Sequence, residues 1–239
     1  MKNKQIYLIR HGLSEYNLDP ANIPYGQNVK LTEEGKLQAK KSGLYLKKFR
    51  LEEHNFDCVY SSPLLRARET AIIISDEIGY ASNRVVFLND LQEQKHGMLG
   101  IKSKNTMKAD KEFDQLNLLV KTAAQLVDPI AKNEAFYSID DKIHEAYPNS
   151  GSESRAEFEA RIKGCIDEIL NSDYEKILIV THHGVIGAIF ASYFGLQQLP
   201  FGDVTNGKNC VLSYLKATDS GLKVVTLPNS LHLAKNFIL

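Results

Sequence analysis

The chain of 239 residues has no tryptophan, only three cysteines and no long apolar run. Cys58, Cys165 and Cys210 are odd in number and far apart, and each lies in an apolar segment, which favours buried reduced thiols over a disulfide framework. No apolar stretch approaches the length of a membrane span, and the run behind the basic first residues is too short for a signal-peptide core. We therefore expect a soluble, cytoplasmic protein.

An excess of charge of either sign is also missing, because Lys plus Arg and Asp plus Glu number 29 each. A balanced chain has no basic footprint for nucleic acid or for an acidic membrane surface, so we expect neither as a partner. Any anion site must be a local concentration of cations. The 43% hydrophobic content is ample for a core, and the chain has no internal repeat or low-complexity tract.

Short apolar runs alternate with amphipathic segments along the chain. The runs predict strands over Phe56–Tyr60, Val85–Leu88, Lys176–Val180, Cys210–Lys216, Leu222–Leu227 and, first of all, Ile6–Ile9. Helices are predicted to begin at Thr32, Ser61, Glu153 and Val185. This alternation predicts an α/β fold: a three-layer sandwich with a mostly parallel sheet of about six strands and helices on both faces. We expect one domain over residues 1–239, with a lid inserted at about 98–152 that selects the substrate.

Cations and imidazoles directly follow three of the predicted strands. Arg10 and His11 follow the first, Arg66 lies one turn into the helix after the second, and His182 and His183 follow the fourth. The carboxyl ends of parallel strands lie along one edge of a sheet, so these side chains can converge on one pocket. The pattern predicts a site for a small phosphorylated substrate.

The residue types are those that phosphoryl transfer needs. A neutral imidazole can attack phosphorus and form a phosphohistidine, while arginines offset the charge of the transferring group. A second histidine, protonated beside the phosphate, can donate to the same oxygens. Glu93, after the third strand, can act as general acid and then as base toward water, with Glu15 and Asp90 as nearby alternatives.

These motifs resemble those of the histidine phosphatase superfamily, also called the phosphoglycerate mutase-like family. The resemblance spans nearly the whole chain in the expected order. The matching segments are Arg10–Asn17 (R-H-G-x-S-E-x-N), Ser61–Ala71 (S-S-x-x-x-R-A-x-x-T-A), Leu91–Gly97 (L-x-E before a glycine), Ser152–Arg161 (the G-E-S helix start), Val180–His182 (V-x-H) and Asn209–Cys210 (the start of the next-to-last strand).

The resemblance implies a role for five of these side chains. His11 becomes the phosphohistidine, and Glu93 is the proton donor. Arg10, Arg66 and His182 clamp the phosphate. Arg66, rather than Arg68, aligns with the arginine of the family motif.

Two positions depart from the family pattern. His183 stands where glycine is common, and Gly187 stands where an arginine often follows the late histidine. We keep His183, together with Asn17, as a candidate for binding the substrate. His96 and the paired histidines have no metal-binding spacing, so the sequence predicts no metal and no organic cofactor.

The sequence thus predicts a phosphatase that hydrolyses phosphate monoesters, without revealing its substrate or oligomeric state. The loop from Tyr25 to Gly35 and the G-E-S-like helix start resemble the phosphatase branches better than the mutases' tryptophan-bearing loop. Two alternatives stay open: a phosphoglycerate mutase, which would need a closed lid that excludes water, and a catalytically weak phospho-ligand-binding module. The enzyme hypothesis requires His11 and His182 to reach one oxyanion and both rings to be open to solvent.

Overall fold

The computed structural model describes residues 3–24, 28–49, 55–97, 151–195 and 208–234, with a few single positions between 122 and 145. The strands in these ranges are β1 (Lys4–Arg10), β2 (Cys58–Ser61), β3 (Val86–Phe87), β4 (Lys176–Thr181), β5 (Leu212–Thr218) and β6 (Gly221–Asn229). The α-helices are α1 (Glu15–Leu18), α2 (Glu33–Phe49), α3 (Leu65–Ile78), α4 (Arg155–Asn171) and α5 (His183–Phe194). Most of the predicted lid lies outside the described residues, so the lid and the single domain stay predictions.

The six strands form one mixed sheet in the order β3-β2-β4-β1-β5-β6. The first four are parallel to one another, whereas β5 and β6 join in antiparallel pairs. The prediction of an α/β sheet of about six, mostly parallel strands is confirmed. β4 and β1 are central, and the residues Ile6–Ile9 and Ile177–Val180 are buried, which explains why their apolar runs are unbroken.

Helices cover both faces of the sheet, as predicted. Because side chains alternate along a strand, Ile6 and Leu8 of β1 join a core cluster with α4 and α5, while Tyr7 and Ile9 join a second cluster with α2 and α3. The three cysteines are buried and free, in agreement with the sequence. None of the helices in the described residues combines the length and apolar character needed to cross a bilayer.

The strand register places the ends of the central strands side by side. Arg10 of β1 pairs with Thr181 of β4, and Ser61 of β2 pairs with Val180. The residues that follow, including His11 and His182, therefore leave the sheet at one edge. This is the edge at which open α/β sheets bind their ligands.

Two element boundaries differ from the predictions. β3 is shorter than Val85–Leu88 because it is an edge strand that pairs only with β2, over two residues. α3 begins at Leu65 rather than near Ser61. Ser62 precedes Pro63, a position that disfavours helical backbone, and Leu64 is still extended. Arg66 nevertheless lies in the first turn of the helix, as predicted.

Candidate active site

The His11 ring is oriented by the backbone of the next residue. Its Nδ1 lies 2.8 Å from the carbonyl oxygen of Gly12. A carbonyl oxygen can only accept, so Nδ1 carries the proton. Nε2 then has the lone pair, and it accepts a hydrogen bond from Nε of Arg66 at 3.2 Å. The arrangement selects the tautomer in which Nε2 can act as a nucleophile.

The His11 backbone is held by contacts from distant parts of the chain. Its N–H donates to the carbonyl of Thr181 at 2.9 Å, and its carbonyl accepts from the N–H of Cys210 at 3.2 Å and from Nδ2 of Asn209 at 3.1 Å. Asn209 was quoted in the sequence only as part of a strand-start motif. Its position shows that this motif anchors the backbone of His11, the predicted nucleophile.

Two arginines set the charge around His11. Arg66 is buried, and Nη1 of Arg10 donates to the carbonyl of Lys208 at 3.0 Å. Burial lowers the pKa of His11 well below its usual value, and the Coulombic effects of Arg66 and Arg10 lower it further. The imidazole is consequently neutral near pH 7, as a nucleophile must be.

His182 lies beside His11 but is fully enclosed. The two ring centroids are 5.2 Å apart, and Nε2 of His182 is 2.8 Å from Oγ of Ser62. The ring has no exposed surface, and Nδ1 has no hydrogen-bond partner among the described residues. The two rings are close enough to reach one oxyanion, but His182 is closed to solvent, contrary to the requirement above. The catalytic role proposed below therefore falls to His11, which lines the cavity, and His182 is given only a contact from a buried position.

The surroundings of His182 act against a charged ring. Burial lowers its pKa well below the usual value, and Arg66, His11 and Arg10 lower it further. These effects favour the neutral ring near pH 7.

Glu93 is the acidic side chain that the fold brings to His11. It is buried, with Oε2 accepting from the N–H of Gly184 at 3.0 Å and Oε1 accepting from the N–H of Gln94 at 3.1 Å. The two alternatives lie elsewhere: Glu15 pairs with Lys30 at 3.7 Å, and Asp90 is exposed. The structure thus favours Glu93 among the three acids considered.

These groups surround a cavity of 280 Å³. The residues that line it are Arg10, His11, Tyr16, Asn17, Arg66, Glu93, Gln94, His96, His183 and Gly184. All the predicted site residues except His182 are among them. Tyr16, Gln94, His96 and Gly184 were missed, although Gln94 and His96 follow Glu93 closely in sequence and Gly184 follows His183.

Asn17 and His183 lie at the cavity in different roles. Oδ1 of Asn17 accepts hydrogen bonds from the Ser14 N–H at 3.1 Å and from Nδ2 of Asn209 at 3.2 Å, so this side chain ties two segments together. Burial and Arg10 lower the pKa of His183 to about 4, although Glu93 acts in the opposite direction. Both residues stay candidates for binding the substrate. In the described part of the chain, no three His, Cys, Asp or Glu side chains are grouped to hold a metal ion.

The fold and the site together define a class of protein. An imidazole with an available lone pair, two guanidinium groups and a carboxyl group meet at the carboxyl edge of an α/β sheet, which is an arrangement suited to phosphoryl transfer. The sequence pattern of the histidine phosphatase superfamily (branch 1) matches residues 6–118 and 125–230. The chain belongs to this superfamily.

Its relatives carry the names of two activities. The chain is 29% identical over 217 residues to a 2,3-bisphosphoglycerate-dependent phosphoglycerate mutase of Pelagibacter ubique, covering 87% of this chain and 89% of the relative. It is 30% identical over 194 residues to a Hydrogenobacter thermophilus protein provisionally named phosphoserine phosphatase 2, covering 81% and 80%. The crystal structure of a Bacillus anthracis phosphoglycerate mutase shares the fold, with a TM-score of 0.73, 21% identity and 98% and 96% of the two chains covered.

Proposed function

We propose that this protein hydrolyses phosphate monoesters through a phosphohistidine at His11. The observation that carries the proposal is the unprotonated Nε2 of His11, which accepts from Nε of Arg66 at 3.2 Å in a ring that lines the cavity. A lone pair placed beside a guanidinium is suited to an anionic electrophile, because the cation attracts the phosphate that the nitrogen attacks.

In the first half of the reaction, Nε2 of His11 attacks phosphorus as the ester P–O bond breaks. Glu93 gives its proton to the leaving oxygen, so that the alcohol departs neutral and the carboxylate remains. Arg10 and Arg66 hold the oxygens of the transferring group and offset its charge. The product of this half is the phosphohistidine.

We assign His182 a supporting contact in this step. The Ser62 hydroxyl, which also accepts from the N–H of Leu64 at 3.3 Å, can donate its proton to Nε2 of His182. Nδ1 then bears the hydrogen and can donate to a phosphate oxygen on His11. A buried N–H without another partner supports this role, because a phosphate would satisfy it.

In the second half, water replaces the alcohol. Glu93, now ionised, takes a proton from the water, the water oxygen attacks phosphorus, and the bond to Nε2 of His11 breaks. Inorganic phosphate leaves, and both catalytic groups return to their starting protonation states. A mutase would instead pass the phosphoryl group to a second hydroxyl.

The mutase remains the second candidate because of the relative from Pelagibacter ubique, whose printed name is that of a mutase. We prefer hydrolysis because the chain lacks tryptophan throughout and therefore lacks the tryptophan-bearing loop of the mutases. A small phosphorylated metabolite is the proposed substrate class in both cases. The relatives' names, which refer to phosphoglycerate and phosphoserine, suggest the first compounds to try.

The first experiment compares the native protein with the His11→Ala variant. We expect turnover of 4-nitrophenyl phosphate by the native protein and a loss of about 10⁴-fold or more in the variant, since the nucleophile is gone. A Lys163→Ala variant is the control, because Lys163 is exposed on α4, pairs with Asp167 and is not among the residues that line the cavity. Phosphoglycerate isomers are then supplied, and isomerisation and phosphate release are followed together.

Each outcome distinguishes one of the hypotheses. Phosphate release without isomerisation supports the hydrolase, and isomerisation that outpaces phosphate release identifies a mutase. Binding of phosphate esters by the native protein with no turnover would identify the binding module. Full turnover by His11→Ala would refute the phosphohistidine route.

A further inference from the structure

The segment that carries Glu93 is fastened to α4 by one arginine. Residues Asp90–Lys95, here called the Glu93 segment, run past the start of that helix. Nη1 of Arg161 donates to the carbonyl of Asp90 at 2.6 Å and to the carbonyl of Gln92 at 3.1 Å. The guanidinium is therefore hydrogen bonded to the backbone immediately before Glu93.

Glu153 fastens the other side of the same segment. Its Oε2 accepts from the N–H of Lys95 at 3.0 Å, its own N–H donates to the carbonyl of Lys95 at 2.8 Å, and its carbonyl accepts from Nε2 of Gln94 at 3.2 Å. The residues that flank Glu93 on both sides are thus bonded either to Arg161 or to Glu153.

The two side chains are bonded to each other as a two-pronged ion pair. Nε and Nη2 of Arg161 lie 2.6 and 2.7 Å from the two carboxylate oxygens of Glu153. The side chains are only 14% and 13% exposed. Burial tends to raise the pKa of Glu153, but hydrogen bonds from Arg161 and from the Lys95 N–H outweigh it and lower the pKa, so the carboxylate is charged. Two parallel, charge-assisted hydrogen bonds fix the orientation of both side chains.

Among the described residues, two backbone N–H groups orient the carboxyl group of Glu93. The donors are the N–H groups of Gln94 and Gly184, and the first of these belongs to the Glu93 segment. If the segment moves, the carboxyl group moves with it. A displacement of about 1 Å of a catalytic group can lower a rate by about 10²-fold.

We propose that Arg161 and Glu153 are positioning residues that hold Glu93 where it can protonate the leaving oxygen. This inference rests on the proposed function, in which Glu93 is the general acid. Any partly buried ion pair can affect the stability of the fold. This pair should in addition affect kcat/KM, because it positions the general acid. The loss of kcat/KM should be larger for a more basic leaving group, which needs the proton more.

The experiment measures kcat/KM for a series of substituted phenyl phosphates. A poor leaving group such as phenolate needs protonation, whereas 4-nitrophenolate departs with little help. We expect Arg161→Ala to lower kcat/KM for phenyl phosphate by about 10- to 100-fold and for 4-nitrophenyl phosphate by less than about threefold. Arg161→Lys keeps the positive charge but loses the two parallel hydrogen bonds of the guanidinium. This variant and Glu153→Gln should show the same dependence on the leaving group, with smaller losses of kcat/KM.

Arg155→Ala is the matched control. Arg155 lies on the same helix and forms a partly buried ion pair with Glu159, four residues along. We expect kcat/KM of this variant to be unchanged across the whole series. If Arg161→Ala fails to fold, Arg161→Lys decides the question, because its lysine preserves the buried positive charge.

Glu93→Gln separates failure of this inference from failure of the proposed function. The same leaving-group dependence in Glu93→Gln and in the folded Arg161 variants supports the positioning role. A dependence in Glu93→Gln alone, with uniform losses in the Arg161 and Glu153 variants, overturns the positioning role and leaves the general acid in place. Absence of any dependence in Glu93→Gln overturns the acid assignment and the inference with it.

Discussion

At the scale of single residues, local and distant contacts together keep the His11 imidazole neutral, as the proposed nucleophilic role requires. The carbonyl of Gly12 accepts a hydrogen bond from Nδ1–H of His11, and burial beside Arg66 and Arg10 keeps the ring from gaining a second proton. The cost of burying polar groups is limited because nearly every group has a partner. Nδ1 of His182, which has none among the described residues, is the atom at which a phosphate would complete the network.

Gly184 provides a test of the Glu93 geometry. A Cβ at this position would lie 2.3 Å from Oε1 of Glu93, far inside normal contact distance. We expect Gly184→Ala to displace the carboxyl group and to lower kcat/KM for phenyl phosphate by about 10²-fold, the lower end of a general acid's contribution. Steady-state kinetics with the same substrate series measures this.

The companion variant is Glu93→Gln, which removes the acid without adding bulk. The defects of the two variants should follow the same leaving-group dependence. A Gly184→Ala protein with native kinetics on every substrate would show that Glu93 does not act from the observed position.

At the scale of elements, the site depends on close contact between neighbouring helices. α2 and α3 cover the face of the sheet that carries Tyr7 and Ile9, and α3 supplies Arg66. The close approach is possible because Gly43 of α2 faces α3: a Cβ there would lie 2.6 Å from Cβ of Glu77 and 3.3 Å from Cα of Ile74. Packing against a backbone leaves little room for adjustment.

Two glycine-to-alanine substitutions should therefore change the free energy of unfolding in opposite directions. Gly43→Ala should lower the free energy of unfolding by about 1–2 kcal/mol, because overpacking outweighs the gain in helix propensity. Gly164→Ala, on α4 where nothing lies within 4 Å, should raise it by about 0.5–1 kcal/mol. Urea denaturation of both variants measures the difference. Equal stabilisation by both would mean that α2 and α3 are not in tight contact at Gly43.

At the scale of the whole molecule, buried histidines make the fold sensitive to acid. His232, near the end of the described chain, lies 3.0 Å from Oγ of Ser42 on α2 and is hydrogen bonded to the Cys210 backbone. Burial lowers the pKa of His232 to about 4. Between this value and the ordinary pKa near 6.5, the unfolded chain binds a proton that the folded chain does not, so stability falls as pH falls. His183, with a pKa of about 4, adds to the effect in the same window.

The His232→Gln variant tests this account. Near pH 7 it should be less stable, because the contact with Ser42 is altered. Between pH 6.5 and 4, its free energy of unfolding should decline less steeply than that of the native protein, by up to about 1.4 kcal/mol per pH unit. Urea denaturation at several pH values gives the slopes, with His144→Gln as the control at a partly exposed histidine. Parallel slopes for His232→Gln and the native protein would contradict the assignment.

The elements and the edge that holds the site follow from local features of the sequence. Short unbroken apolar runs rich in β-branched residues favour strands buried on both faces, so β1 and β4 were predictable, as was the helix that begins near Thr32. Because Arg10, His11 and His182 directly follow such strands, their convergence at one edge was predictable as well. These inferences depend on neighbours in sequence and on the direction of parallel strands.

Contacts between distant residues were decided by the tertiary structure alone. The choice of Glu93 over Glu15 and Asp90, the enclosure of His182 and the anchoring of the His11 carbonyl by Asn209 each depend on pairing across the fold. A buried polar group must find a partner, but composition and periodicity do not specify which distant residue supplies it. The sequence by itself therefore determined which chemistry is present and at which edge, whereas packing decided which atoms face the cavity.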